Sequence, residues 1–196
     1  LAQIDELNSS FKIGVIEKDS FTKIELLPEH QLDLSQLTPR SEFLTWLNKE
    51  HANTNTLFIG TTGNAAREMY SFMPSTNNFY MAGNMGGALS LGLGAAKGGK
   101  EVIVCGGDAE FVMHLGGLTT AGRYANEDLN LTYLLFDNQT NKSTGGQNTY
   151  QTHLDYLAIA KASGFTCYEQ SVTSPAELEA ALHTTKEKAL SFIHIQ

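Results

Sequence analysis

The chain has 196 residues, 41% of them hydrophobic and 17% charged, with a formal net charge of −8 and a sequence pI near 5.2. That length supports one domain with a core and perhaps part of another, and the acidic balance argues against nucleic acid or an anionic membrane as partner, since both select basic faces. Two cysteines, Cys105 and Cys167, give no disulfide framework and no CxxC pair, so a reducing cytoplasm is expected; no apolar run approaches the ~20 residues that span a bilayer, and the first residues lack a signal-peptide layout.

In chain order, residues 1–27 read as an amphipathic helix, a strand from Lys12 to Ile16, and an alternating segment, Phe21 to Leu26, that fits an edge strand or the start of a linker. Residues 28–37 carry little periodicity and form a connection, after which a new unit begins. Thr38-Pro39 has the form of an N-cap followed by proline at the first helical position, and Phe43, Leu44 and Leu47 recur at helical spacing, with Trp46 off the stripe. Leu57 to Gly60 is a short buried strand that empties into Thr61-Thr62-Gly63-Asn64 ahead of a helix from Ala65 to Phe72. Such a turn can hold a phosphate on main-chain amides and hydroxyls, although more often it is a plain helix cap.

A strand from Phe79 to Met81 leads into Gly83-Asn84-Met85-Gly86-Gly87 and a helix of Ala, Leu, Ser and Gly up to Ala96. Gly92 and Gly94 each weaken that helix by about 1 kcal/mol, which points to close packing against its backbone. Next, Val102 to Cys105 reads as a buried strand delivering Gly106, Gly107 and Asp108 to its carboxyl end, where the stretch Phe111 to Ala121 turns helical. Amide dipoles at a helix N-terminus favour anions, so a functional Asp there suggests a cation held between Asp108 and a phosphate. Taken alone, Gly-Asp after a strand is more often only a turn. The following strand, Leu131 to Phe136, ends in Asp137-Asn138-Gln139-Thr140 and brings Asn138 to the same edge, where a carboxylate, an amide carbonyl, a main-chain carbonyl and phosphate oxygens would nearly fill the octahedron of a hard cation.

The polar stretch 141–149 is too long for a mere turn and reads as a lid over that edge. The remainder is a helix from Thr152 to Ser163 closed by Gly164, a strand Thr166 to Tyr168, a capping box Ser174-Pro175-Ala176-Glu177 opening a helix to about Lys186, and a last strand from Leu190 to Ile195. Strands alternating with helices predict an α/β fold, a doubly wound parallel sheet whose ligands gather at the carboxyl ends of the strands, and all three candidate turns fall on that edge.

The residues GGDAE followed by DNQ resemble the motif that binds thiamine diphosphate. The resemblance implies that Asp108, the side chain of Asn138 and the carbonyl of Thr140 bind Mg2+, with Gly107 and Ala109 alongside and Thr62, Gly63 and Asn64 near the diphosphate. Phe79 to Ala88 resembles the segment that carries the aminopyrimidine; there Gly83 would accept a hydrogen bond from the ring's amino group, Asn84 would lie beside it, and Met85 would wedge between the two rings. Ser143-Thr144-Gly145-Gly146-Gln147 resembles the substrate loop of phosphonopyruvate and sulfopyruvate decarboxylases, the most specific piece of a likeness that covers nearly the whole chain. Lys142 departs from the acidic residue that related sequences can carry before this loop.

The same likeness implies a domain plan: 1–27 as the tail of a pyrimidine-binding domain, 28–37 as linker and 38–196 as the diphosphate-binding (PP-type) domain. It implies a homo-oligomer that decarboxylates a small-molecule 2-oxo acid, first of all phosphonopyruvate to phosphonoacetaldehyde. Sulfopyruvate decarboxylation, or a cofactor-binding module without turnover, are the alternatives. The activating glutamate of such enzymes lies on the pyrimidine-binding domain or subunit, and neither Glu110 nor Glu68 matches its position.

Overall fold

The computed structural model describes residues 13–17, 19–22, 24–126 and 128–196. Within them the strands are β1 Leu57–Gly60, β2 Asn78–Tyr80, β3 Val102–Gly107, β4 Leu131–Phe136, β5 Thr140–Asn141, β6 Gln147–Asn148, β7 Thr166–Cys167 and β8 Leu190–Ile195. The helices are α1 Arg40–Glu50, α2 Asn64–Phe72, α3 Ala88–Lys97, α4 Asp108–Met113, α5 Leu115–Tyr124, α6 Tyr156–Ala162 and α7 Pro175–Thr185.

Six strands form one parallel sheet in the order β2-β1-β3-β4-β8-β7. Its apolar residues alternate between two cores, as strand periodicity requires. Val102, Val104, Leu131, Tyr133, Leu135 and Phe192 face the side covered by α3, α5 and α6. Ile103, Cys105, Leu134, Phe136, Ile193 and Ile195 face α1, α2 and α7. A sheet buried on both faces reads as continuous apolar runs, and these strands do. The α/β doubly wound fold is therefore present. Gly92 explains itself here: a methyl group on it would meet Val104 Cγ2 at 2.7 Å, so α3 lies against the sheet only because the side chain is missing. Gly94 meets nothing within 4 Å, and its expected close packing is absent.

The described part of 13–27 contains neither helix nor strand, and Ile13, Val15, Ile16, Phe21 and Ile24 are all exposed. The expected strands are missing because none of the described residues of 13–27 pairs with another strand, so the main-chain bonds a strand needs are not made; the expected helix falls mainly on residues 1–12, outside the described residues. Three helix starts or ends also differ from expectation. Thr38 does not cap α1; its hydroxyl donates to the Thr173 carbonyl at 2.6 Å, and Pro39 takes the cap position. The helix expected from Thr152 begins at Tyr156, because Asp155 Oδ1 accepts the Ala158 amide at 2.9 Å and supplies the N-cap. The helix expected from Phe111 to Ala121 starts at Asp108 and breaks at His114, whose Nδ1 bonds the Gly86 carbonyl at 2.7 Å. The box at α7 holds in altered form: Ser174 accepts from the Glu177 amide at 3.3 Å, while Glu177 reaches back to Thr173 at 2.6 Å.

Candidate active site

The strand order turns back between β1 and β3, and the loops leaving their carboxyl ends diverge there to leave a crevice. A cavity of about 470 Å3 occupies it, extending over the end of β4. Its wall contains Thr61, Thr62 and Asn64 from the turn after β1, Met85 from the loop after β2, Gly107, Asp108 and Ala109 after β3, and Asn138 and Thr140 after β4. Four segments far apart in sequence thus converge.

Asp108 is 4% exposed at the start of α4. Burial, with the Asp137 carboxylate nearby, pushes its carboxyl up to about 6, while the Ala109 amide and the Thr149 hydroxyl, which donates to Asp108 Oδ2 at 3.3 Å, oppose that rise. A buried carboxylate crowded by a second one is an electrostatic request for a cation. Opposite it the chain folds sharply: Asp137 Oδ1 accepts from the Gln139 amide at 3.1 Å, Asn138 Oδ1 accepts from the Thr140 amide at 3.1 Å, and Gln139 lies at φ 55° in the left-handed region. That double turn presents Asn138 and Thr140 to the cavity, with one lone pair of the Asn138 oxygen still free for a ligand.

Two buried hydroxyls on the wall, Thr61 Oγ1 and Thr140 Oγ1, have no hydrogen-bond partner among the described residues. Orphaned buried donors in a cavity suit an anionic, oxygen-rich occupant such as a diphosphate. Among the described residues no three His, Cys, Asp or Glu side chains form a metal cage; a cation here would draw on Asp108, amide and carbonyl oxygens, and a bound phosphate, the donor set magnesium accepts. The residues therefore fit a magnesium diphosphate group.

The structure does not bring every expected residue to the wall. Gly83 and Asn84 are exposed on the loop ahead of Met85, outside the cavity. Gly63 stands just behind the wall at φ 89°, where a methyl group would meet Ser143 Oγ at 2.7 Å. The stretch expected to be an irregular lid is a small antiparallel hairpin, β5 against β6, around a 3-10 turn at Lys142–Thr144. Ser143 lines the cavity, whereas Thr144, Gly145, Gly146 and Gln147 do not; the Gln147 side-chain amide instead turns back onto the Thr144 hydroxyl, its oxygen accepting from Thr144 Oγ1 at 2.6 Å.

Several wall residues escaped the sequence reading. Leu34 and Leu37 of the expected linker close one side, and Arg40 enters over the Phe136 ring at 5.9 Å while pairing with Glu68 at 2.9 Å. Glu110, 3% exposed, takes the Tyr133 hydroxyl at 2.5 Å and is raised by burial. Its proximity to Gly-Asp was legible, but the buried tyrosine it needs comes from the next strand.

A model of the thiamine pyrophosphate enzyme C-terminal TPP-binding domain matches residues 59–195, a span that contains every turn of this cavity. Sulfopyruvate decarboxylase subunit beta of Methanocaldococcus jannaschii is 36% identical over 145 residues, which is 72% of this chain and 76% of that subunit. Phosphonopyruvate decarboxylase of Streptomyces viridochromogenes is 39% identical over 127 residues, 64% of this chain, and the aligned part spans about a third, 31%, of that enzyme. Among solved structures, benzoylformate decarboxylase from Polynucleobacter necessarius superposes with a TM-score of 0.63 at 19% identity, over 86% of this chain and 35% of that one, a likeness of fold. With the buried Asp108 carboxylate and the Asn138 turn lining one crevice, and with the family model covering the turns that form it, this chain belongs to the thiamine pyrophosphate enzymes as a C-terminal TPP-binding domain.

Proposed function

We propose that this chain supplies the diphosphate-binding half of an enzyme that decarboxylates a 2-oxo acid with thiamine diphosphate and Mg2+. The observation that carries the reading is the convergence of Asp108, Asn138 and Thr140 with the orphaned Thr61 and Thr140 hydroxyls around one cavity. The cofactor, when bound, supplies a carbon nucleophile and electron sink that amino acids lack. The chain's residues hold and orient it. Asp108, Asn138 and the Thr140 carbonyl ligate magnesium, and Thr62, Gly63 and Asn64 approach the diphosphate from the start of α2. Met85 presses from the opposite wall, and Ser143 guards the entrance.

The activating glutamate belongs to a pyrimidine-binding domain or partner subunit, so the complete site forms at an interface in a cytoplasmic homo-oligomer. The exposure of Gly83 and Asn84 supports this reading, since both are left open to a covering partner. The first substrate is 3-phosphonopyruvate, converted to 2-phosphonoacetaldehyde. A second reading, sulfopyruvate, is supported by the beta-subunit similarity, which extends over more of this chain.

The test is steady-state decarboxylation of both acids by the assembled enzyme with cofactor and magnesium. A higher kcat/KM for phosphonopyruvate supports the first reading, and the reverse order selects the second. No turnover of either acid, with cofactor still bound, would leave a binding module.

A further inference from the structure

Behind the cavity, a line of polar side chains runs from Asp137 away from the wall. Asp137 Oδ2 faces His194 Nε2 at 3.0 Å, and His194 Nδ1 faces Ser171 Oγ at 2.8 Å. With Nε2–H donating to Asp137 and Nδ1 accepting the Ser171 hydroxyl, each group is partnered. Main-chain bonds run parallel to it: the Asp137 amide donates to the Ile195 carbonyl at 2.8 Å, and the Val172 amide to the His194 carbonyl at 2.8 Å. Tyr156 closes over the imidazole, ring centroids 5.4 Å apart. His194 is only 9% exposed and is not part of the cavity wall.

Asp137 is where the metal corner is made or lost. Its second oxygen, Oδ1, holds the Gln139 amide, and Gln139 sits at φ 55°, a conformation a side-chain-bearing residue keeps only when its surroundings impose it. A carboxylate free to rotate would release that amide, and Asn138 and Thr140 would turn with it. We infer that His194, steadied by Ser171, is a positioning residue: it fixes Asp137, and through Asp137 the Asn138–Thr140 turn that presents ligands to magnesium. This rests on the reading of that corner as a magnesium site given above. It assigns a role to the β8 strand, which carries no motif.

The test is a magnesium titration of thiamine diphosphate binding, by calorimetry, in the assembled protein and in His194→Leu, His194→Gln, Ser171→Ala and Asp108→Asn. Gln places a donor near the Nε2 position, whereas Leu removes it. Partners that orient metal ligands typically change affinity by about 10–100-fold. His194→Leu is therefore expected to raise the magnesium concentration for half-saturation by about that factor, with His194→Gln recovering most of it and Ser171→Ala shifting it less in the same direction. A purely structural histidine would lower melting temperature without moving the magnesium midpoint, and that result overturns the inference. If His194→Leu does not fold, an unchanged midpoint in Ser171→Ala overturns it equally. Loss of the magnesium response in Asp108→Asn alone defeats the relay and spares the metal corner; its persistence in Asp108→Asn defeats both.

Discussion

The Asp108 carboxyl is held at about 6 against an ordinary 3.8, so the folded chain grips that proton more tightly than the unfolded chain does. Its contribution to stability is therefore full below about pH 4 and is lost as pH rises through about 6, a span of about two units worth about 3 kcal/mol. Asp108→Asn removes that cost. Without metal it should melt above the parent at pH 7, by the equivalent of about 1–3 kcal/mol, and magnesium with thiamine diphosphate should stabilise the parent alone. Thermal melts at pH 4 and pH 7, with and without both ligands, check this; equal melting of parent and variant at pH 7 counts against it. Met85 gives a complementary case. It is half-buried on the cavity wall and not in the core, so Met85→Ala should cost less than the about 2–5 kcal/mol of a core truncation while lowering the turnover of the assembled enzyme severely. Normal kcat in the folded fraction would reduce Met85 to packing.

Among the elements, the turn after β1 and the β5–β6 hairpin meet through one glycine. Gly63 combines φ 89° with a Ser143 oxygen 2.7 Å from where a methyl group would stand. With ψ at −140° as well, Gly63 lies outside the left-handed helical well in a region essentially reserved for glycine, so Gly63→Ala should cost about 1–3 kcal/mol from backbone conformation alone, plus whatever Ser143 must yield. Adding Ser143→Ala should recover only the steric part, which separates the two contributions in melts and in cofactor titrations. The hairpin itself has just two residues on each strand, held by polar contacts. Two-residue pairs flanking the exposed turn 142–145 open readily, so residues 141–148 should exchange amide hydrogens fast in the free enzyme and become protected when cofactor and a substrate analogue bind. Equal exchange in both states would make the hairpin a fixed wall. His114 sets the other junction: by binding the Gly86 carbonyl it breaks the helix after Asp108 and ties the Met85 loop to the segment that carries Asp108.

For the molecule as a whole, the described part of residues 13–27 is the anomaly. Ile13 at 71%, Val15 at 91% and Ile24 at 90% exposure are left uncovered by the described residues, and Tyr70 on α2 stays 69% exposed although its ring meets that of Tyr80 edge-on at 5.7 Å. Apolar side chains in such numbers on a surface mark a contact to be covered. The chain alone should therefore associate as concentration rises, and adding a pyrimidine-binding domain or subunit should protect residues 13–27 from hydrogen exchange. Sedimentation at increasing concentration tests the first part, and a monomer throughout would refute it. The long-range wiring of the site has the same global character: Thr149 reaches Asp108, and His194 reaches Asp137, across many tens of positions.

Much of this architecture was legible beforehand. Apolar runs such as Val102 to Cys105 and Leu131 to Phe136 mark buried strands whatever surrounds them, and turn-forming residues follow them, Gly106-Gly107 after the first and Asp137-Asn138 after the second; that local grammar determined the parallel sheet and put Asp108 and Asn138 on one edge of it. Thr38 read as a cap because the pattern is local, yet its hydroxyl was claimed by Thr173, which no local pattern encodes. The same reason hid the break at His114, the hairpin within 141–149, the approach of Arg40 over Phe136 and the buried pair of Asp137 with His194. Periodicity and turn chemistry act over a few residues, so the sequence could name the elements and their order. Which buried polar group satisfies which is a property of the packed sheet, and only the tertiary structure decided it.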